Sequence, residues 1–325
     1  ASSAAKALPH RMGGVGMARK IGMDMALRVL NKGSLTDGVI LCLDADTLVQ
    51  ENYLHVVRDH FKPKVRTAIV AYEHPMPNSP REQAAICCYE IFLRYWVLGL
   101  KYAKSPWAFH SIGSTIAVST DAYLTVRGMN KREAGEDFYF LGKLAKIGGI
   151  DYLKETCVYP SARVSTRVPF GTGKRVERFL TGVAEDEYRL YDPQIFSVLA
   201  DLLLLMNDGM NREEDEILLR AQLIHPGLKC FLESAEFPLA WSKIRRVAKE
   251  KKSLAAHFHV WFDGFRTLKM IHYFTNEFYP PINMFVALRR LLDLSGFSGL
   301  KSDAGDTVPP LDEQREILNY MRTIT

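Results

Sequence analysis

Gly38-Val39-Ile40-Leu41-Cys42-Leu43-Asp44-Ala45-Asp46 is the stretch that decides the fold class. Five apolar residues in a row, opened by glycine and closed by two carboxylates, read as a short central strand buried on both faces. Upstream, residues 15–30 are rich in Met, Ala, Leu and Ile and read as a helix after the Gly13-Gly14 turn. Downstream, residues 51–61 read as a helix closed by Lys62-Pro63, and residues 67–72 as a second buried strand. Three prolines between 74 and 80 make that segment a loop. Residues 81–104 carry a long helical stripe of Ile, Tyr, Phe, Trp and Leu, followed by a third strand at 114–118. Ser119-Thr120-Asp121 then opens a short helix that Gly128 can stop. A helix at 136–147 and a fourth strand at 150–159 complete an alternation that predicts an α/β fold with a mixed or parallel sheet.

Beyond residue 174 the strand signal almost vanishes. Helical periodicity occupies 174–190, 194–206, 212–224, 241–252, 254–274 and 281–294, and the Gly-, Ser-, Asp- and Pro-rich stretch 295–310 reads as a linker or loop. The expected organisation is a catalytic-type α/β region over 1–175 and a mainly helical region over 176–325.

A length of 325 residues suits about two domains. With 47% hydrophobic and 24% charged residues, a packed core is expected and wholesale disorder is excluded. The net charge of +5 is too mild for a nucleic-acid footprint but suits anionic substrates such as nucleotides or lipid phosphates. Five cysteines, at 42, 87, 88, 157 and 230, show no CxxC spacing. Free, mostly buried thiols and a reducing compartment are expected. No run reaches the 18 or so apolar residues of a membrane span, and no leader pattern opens the chain.

Two acidic pairs carry the chemistry. Asp44 and Asp46 leave the sheet where ligands of open α/β folds bind, and together they can share a divalent cation and a nucleotide diphosphate. Hard oxygen ligands imply Mg²⁺ or Mn²⁺. The alternative is an Asp-rich turn capping the next helix. Glu136 and Asp137 open a helix whose dipole favours their ionised forms, the state a general base requires. Acids at helix starts are also routine stabilisers.

Taken together, these segments resemble a known family. Gly16-Met-Ala-Arg-Lys-Ile-Gly-Met-Asp-Met-Ala-Leu27, the strand into Asp44-Ala-Asp46, the Arg127-Gly-Met-Asn130 turn and Gly135-Glu-Asp137 occur in the order and spacing of family 2 glycosyltransferases of the GT-A fold. The resemblance covers roughly residues 14 to 175. It implies a GT-A-like mixed sheet flanked by helices, and an inverting single-displacement transfer from a nucleotide-diphosphate sugar to a hydroxyl acceptor. It further implies that Asp46 binds Mn²⁺ or Mg²⁺ bridging the donor diphosphate and that Asp44 contacts the donor sugar or ribose. By the same resemblance Asp137 would be the base that deprotonates the acceptor, and Glu136 would support it or touch the acceptor. Three departures stand beside it. The family's opening nucleobase-binding strand has no room before residue 14, so the region is expected to be N-terminally incomplete. No QxxRW follows the second acidic pair, which argues against a processive enzyme. The helical half matches no pattern of the family.

After the fourth strand, Arg163 and Arg167 precede Gly171-Thr172-Gly173-Lys174-Arg175, a plausible clasp for a donor diphosphate. Trp107 and His110, before the third strand, are candidates to line an acceptor pocket, with core packing the equal alternative. The acceptor is a saccharide or a lipid-linked molecule, and a protein acceptor stays open. His257, His259 and Asp263 lack metal-ligand spacing and read as structural or exposed. Lys249-Glu-Lys-Lys252 reads as a solvated helix end that could face anionic lipid. The aromatic helix could touch lipid too, though packing on the sheet is the better reading. The expected location is the cytosol, with peripheral contact at the membrane's inner face. Two rivals remain: a non-catalytic scaffold or binding module of glycosyltransferase fold, and a nucleotidyltransferase.

Overall fold

The computed structural model describes residues 14–32, 38–62, 64–164, 171–209, 212–297 and 307–325. It divides into two compact units, the described parts of Ala1–Glu90 with Phe109–Val183, and Ile91–Ala108 with Ala184–Thr325.

The first unit runs α1 (Val15–Lys32), β1 (Val39–Leu41), β2 (Leu48–Val49), α2 (Tyr53–His60), β3 (Thr67–Tyr72), the start of α3 (Pro80–Tyr102), β4 (Ile116–Ser119), α4 (Thr120–Thr125), α5 (Glu136–Ala145), β5 (Asp151–Tyr159) and α6 (Thr172–Thr181). Its strands form one sheet in the order β1-β4-β3-β5-β2. β3 pairs in parallel with β5, and the other three pairings are antiparallel. The sheet is therefore mixed. The central β3 is buried at five of its six positions, as its unbroken apolar run requires. On one face, Met23 of α1, Ile40, Ile116 and Val118 of the sheet, and Phe140, Leu141 and Leu144 of α5 form one core cluster.

Local signals act as the sequence predicts. The Ser119 hydroxyl accepts from the Ala122 N–H and caps α4. Gly128, at φ +72°, ends that turn with its N–H on the Tyr123 carbonyl. β2 is two exposed residues long and leaves no periodic signal.

β1, β3 and β5 finish at the end of the sheet where β4 begins. β1 and β2 occupy opposite edges, so residues 42–47 carry the chain across that end. Cys42 still bonds β4 through Ile116, and Thr47 N–H closes a turn on the Asp44 carbonyl. The Asp44-Ala45-Asp46 segment thus spans the carboxyl end of β1, β3 and β5.

The second unit takes the remainder of α3 from Ile91 onward and then α7 (Ala184–Glu187), β6 (Arg189–Leu190), α8 (Pro193–Asp208), α9 (Glu214–Ile224), α10 (Pro226–Ser234), α11 (Phe237–Val247), α12 (Lys251–Trp261), α13 (Gly264–Glu277), β7 (Ile282–Asn283), α14 (Met284–Leu294) and α15 (Leu311–Ile324). Several details differ from the sequence reading, among them α10 and α15, which stand where no helix is expected, and β1, which is an edge strand and not a central one. The 254–274 helix is two helices, because the Asp263 carboxylate takes the Phe265 and Arg266 N–H groups and starts a new one. A two-stranded ribbon, β6 with β7, pairs segments too short to show a period. Residues 91–108 belong with the helices: a Cβ on Gly99 would meet the Phe196 ring at 2.5 Å, so α3 and α8 pack backbone to ring. Most of the apolar stripe of α3 is buried, with Ile91, Tyr95, Leu98 and Leu100 inside and Phe92 and Trp96 half-buried. All five cysteines are free; four are buried and Cys230 is exposed. Among the described residues, no helix is long and apolar enough to cross a membrane.

Candidate functional site

Each carboxylate of the Asp44-Ala45-Asp46 turn faces an arginine. Arg19 of α1 donates through Nη2 to Asp44 Oδ1 at 2.6 Å, and its Nε lies 3.1 Å from Glu136 Oε1. Arg163, just past β5, places Nε and Nη2 at 2.7 and 2.6 Å from Asp46 Oδ2. The two pairs differ in character. Arg19 and Glu136 have side chains only 12% and 5% exposed, whereas Arg163 and Asp46 are largely in solvent.

Arg19 is the residue the sequence reading passed over. Its position depends on two glycines. A Cβ on Gly113 would fall 2.4 Å from the Arg19 guanidinium, and one on Gly16 would fall 2.2 Å from the Arg132 carbonyl oxygen. The Gly16 N–H bonds that same carbonyl at 3.2 Å, holding the start of α1 against the approach to α5. The available signal was a charge at position 19 on the helix face that also presents Gly16 and the buried Met23.

Glu136 and Asp137 begin α5. The Asn130 side-chain amide donates to the Glu136 carbonyl at 2.8 Å and the Phe138 N–H to Asp137 Oδ1 at 2.7 Å, fixing this first turn. The sequence predicts ionised acids here on the strength of the helix dipole. Burial reverses the balance. It pushes the Glu136 carboxyl up to about 7, with the charge of Asp137 adding to the rise and Arg19 opposing it. Asp137 is also raised, by burial first and by Asp44 in part, against its bond from Phe138 and the charge of Arg19. Desolvation and like charge together exceed what first-turn N–H groups supply. Three carboxylates, Asp44, Glu136 and Asp137, thus surround one buried guanidinium. A carboxyl raised to about 7, as Glu136 is, suits proton transfer.

Beside Asp46 and Arg163 lies a cleft of about 410 Å³, lined also by Pro75, Met76, Glu82, Tyr159 and Ser161. The start of α6 is tied to the same sheet end. His74 makes the link: its backbone N–H and Nδ1 both lie 3.0 Å from Glu90 Oε2, and its Nε2 lies 3.3 Å from Thr172 Oγ1. Tyr89 bonds Thr172 as well and sits within electrostatic reach of Asp137 and Arg175; burial pushes its phenol up to about 12. Arg167 lies outside the described residues.

The two acceptor candidates part company. His110 is buried in the first unit, its ring 5.1 Å from Tyr72 and 5.8 Å from Tyr152. Trp107 belongs to the second unit, where it is buried with Nε1 donating to the Phe262 carbonyl at 3.0 Å. It packs a core and does not join the carboxylates' unit. His257 is exposed with Nδ1 on the Ser253 carbonyl, and burial lowers His259.

Asp46 offers the hard oxygen that Mg²⁺ or Mn²⁺ takes, and Oδ1 is not the oxygen that Arg163 holds. No group of three or more His, Cys, Asp or Glu side chains able to hold a metal occurs among the described residues. A cation at Asp46 would draw its remaining ligands from a bound anion and water, as Mg²⁺ commonly does with phosphates.

Comparison of the sequence with protein-family models and with curated proteins gave no match.

Proposed function

We propose that the chain is a GT-A-type glycosyltransferase resembling family 2, transferring a sugar with inversion from a nucleotide-diphosphate sugar to a hydroxyl acceptor. The observation that carries this reading is the Arg19-centred cluster. It joins Asp44, at the carboxyl end of the sheet, to Glu136 and Asp137 at the start of α5, two segments that the sequence separates by some ninety residues.

In this reading the donor diphosphate lies in the cleft beside Asp46, where Arg163 turns from the carboxylate to the phosphate oxygens. Asp46 would hold Mn²⁺ or Mg²⁺, which would supply positive charge against the leaving group. Asp137 takes the proton of the acceptor hydroxyl, whether of a saccharide or a lipid-linked molecule. The acceptor oxygen forms the new bond to the anomeric carbon, and the bond from that carbon to the diphosphate oxygen breaks. The nucleoside diphosphate leaves with the electron pair. Arg19 keeps Asp44 and Glu136 paired so that a further negative ligand can approach.

The rival is a binding module of the same fold, favoured by one observation: both aspartates already have guanidinium partners. A thermal-shift panel of UDP, GDP and their sugars, with and without Mn²⁺, separates the two when run beside transfer assays on wild type and Asp137→Asn. Sugar transfer requires a shift that needs Asp46, and an Asp137→Asn variant that binds donor but no longer transfers. Donor binding with no turnover in wild type selects the binding module. No shift with any nucleotide rejects both.

A further inference from the structure

We propose that the α11–α12 face of the helical unit docks on an anionic phospholipid surface. This inference is independent of the sugar-transfer reading. α11 and α12 form a groove of about 460 Å³ with apolar walls and charged flanks. Leu239, Ile244, Val260 and Trp261 supply the walls, and Lys243 and Arg266, with one acid, Glu236, flank them. Leu239 and Val260 are 54% and 46% exposed. Val247, at 72%, continues the apolar surface along α11.

Charge marks the occupant. Residues 236–266 hold seven Lys and Arg against three Asp and Glu, a net +4 out of +5 for the entire chain. The remaining residues are therefore almost neutral, and the basic excess is local. One of the three acids, Asp263, is engaged in capping α13. Among the described residues, Arg245 is the one of these cations paired with a carboxylate from outside the segment, that of Glu213. Lys243 and Arg246 share the exposed face of α11 with Leu239, at helical spacing. Lys252, Ala256 and Val260 recur every fourth residue and form the matching stripe on α12. Exposed aliphatic side chains interleaved with exposed cations are the two halves of interfacial binding: apolar groups enter the acyl boundary while lysines and arginines meet lipid phosphates. A nucleic acid would reward the cations but not Leu239, Val247 and Val260.

The test is co-sedimentation of the full chain with phosphatidylcholine vesicles, pure or with roughly a third phosphatidylglycerol. Binding is expected only with the anionic lipid, falling steeply as salt is raised from about 0.1 M toward 1 M. Lys243→Glu with Lys252→Glu is expected to cut the partition constant by roughly fivefold for each cation or more. Leu239→Ser with Val260→Ser is expected to weaken binding at low salt. All four positions are exposed, so the variants fold, which circular dichroism checks. Equal binding to both vesicle types, no binding to either, undiminished binding by the charge-reversed variant, or full displacement by millimolar glycerol phosphate would each overturn the proposal, the last by identifying a soluble-anion site instead.

Discussion

Arg163 aims two nitrogens at a single oxygen of Asp46, Oδ2, at 2.7 and 2.6 Å, and both side chains are more than a third exposed. An exposed pair of this kind is worth roughly 0–1 kcal/mol. Arg163→Ala is therefore expected to move the urea midpoint hardly at all, while nucleotide-diphosphate affinity falls by about tenfold or more, since charged hydrogen bonds to a ligand are worth about 1.5–3 kcal/mol. Denaturation and calorimetric titration on one variant check both halves.

Arg19 is a different case. It is buried and answers three acids, so Arg19→Met leaves Asp44, Glu136 and Asp137 facing one another without a counter-charge. The expected loss is roughly 3 kcal/mol at pH 8, shrinking toward pH 5 as Glu136 takes up its proton. A loss of equal size at both pH values would contradict the electrostatic account.

Glu136 itself gives the clearest pH signature. Its folded value of about 7 lies above the ordinary 4.5, so the folded chain binds the proton more tightly than the unfolded one. Its contribution to stability is complete below about pH 4.5 and is lost as pH rises through 7. Glu136→Gln removes that dependence. Relative to wild type, the variant is expected to gain about 1–3 kcal/mol between pH 5 and pH 8, measured as the change in unfolding free energy.

Two glycines on one helix should behave oppositely. Gly16→Ala forces a Cβ to within 2.2 Å of the Arg132 carbonyl oxygen, a backbone atom that cannot yield cheaply. The expected cost is about 1–3 kcal/mol. At Gly22 nothing lies within 4 Å, and Ala there should stabilise α1 by up to about 1 kcal/mol. Thermal melts of the two variants, compared side by side, decide the point.

Much of the first unit was legible because its signals are local. The run at 67–72, the Ser119 cap and the Gly128 stop each act within a few residues and stand where the sequence predicts, whereas the apolar run into Asp44 forms a strand at the sheet edge and not the central, doubly buried one its composition implies. Legibility failed where the deciding contact is remote or the element is short. Trp107 reads as a pocket residue until Phe262 takes its indole N–H. The ribbon of β6 and β7 joins two dipeptides some ninety residues apart, and neither is long enough to carry a period.

The sequence by itself determined the order of the longer helices and strands of the first unit and set the acids at a strand end and a helix start. Periodicity, capping and turn chemistry are properties of neighbouring residues, and they survive in a one-dimensional reading. Only the tertiary structure decided that Arg19 stands between Asp44 and Glu136, that Arg163 meets Asp46, and that Glu136 titrates near neutrality. Those outcomes depend on through-space distance and on water excluded by packing, and neither quantity exists until distant segments of the chain are brought together.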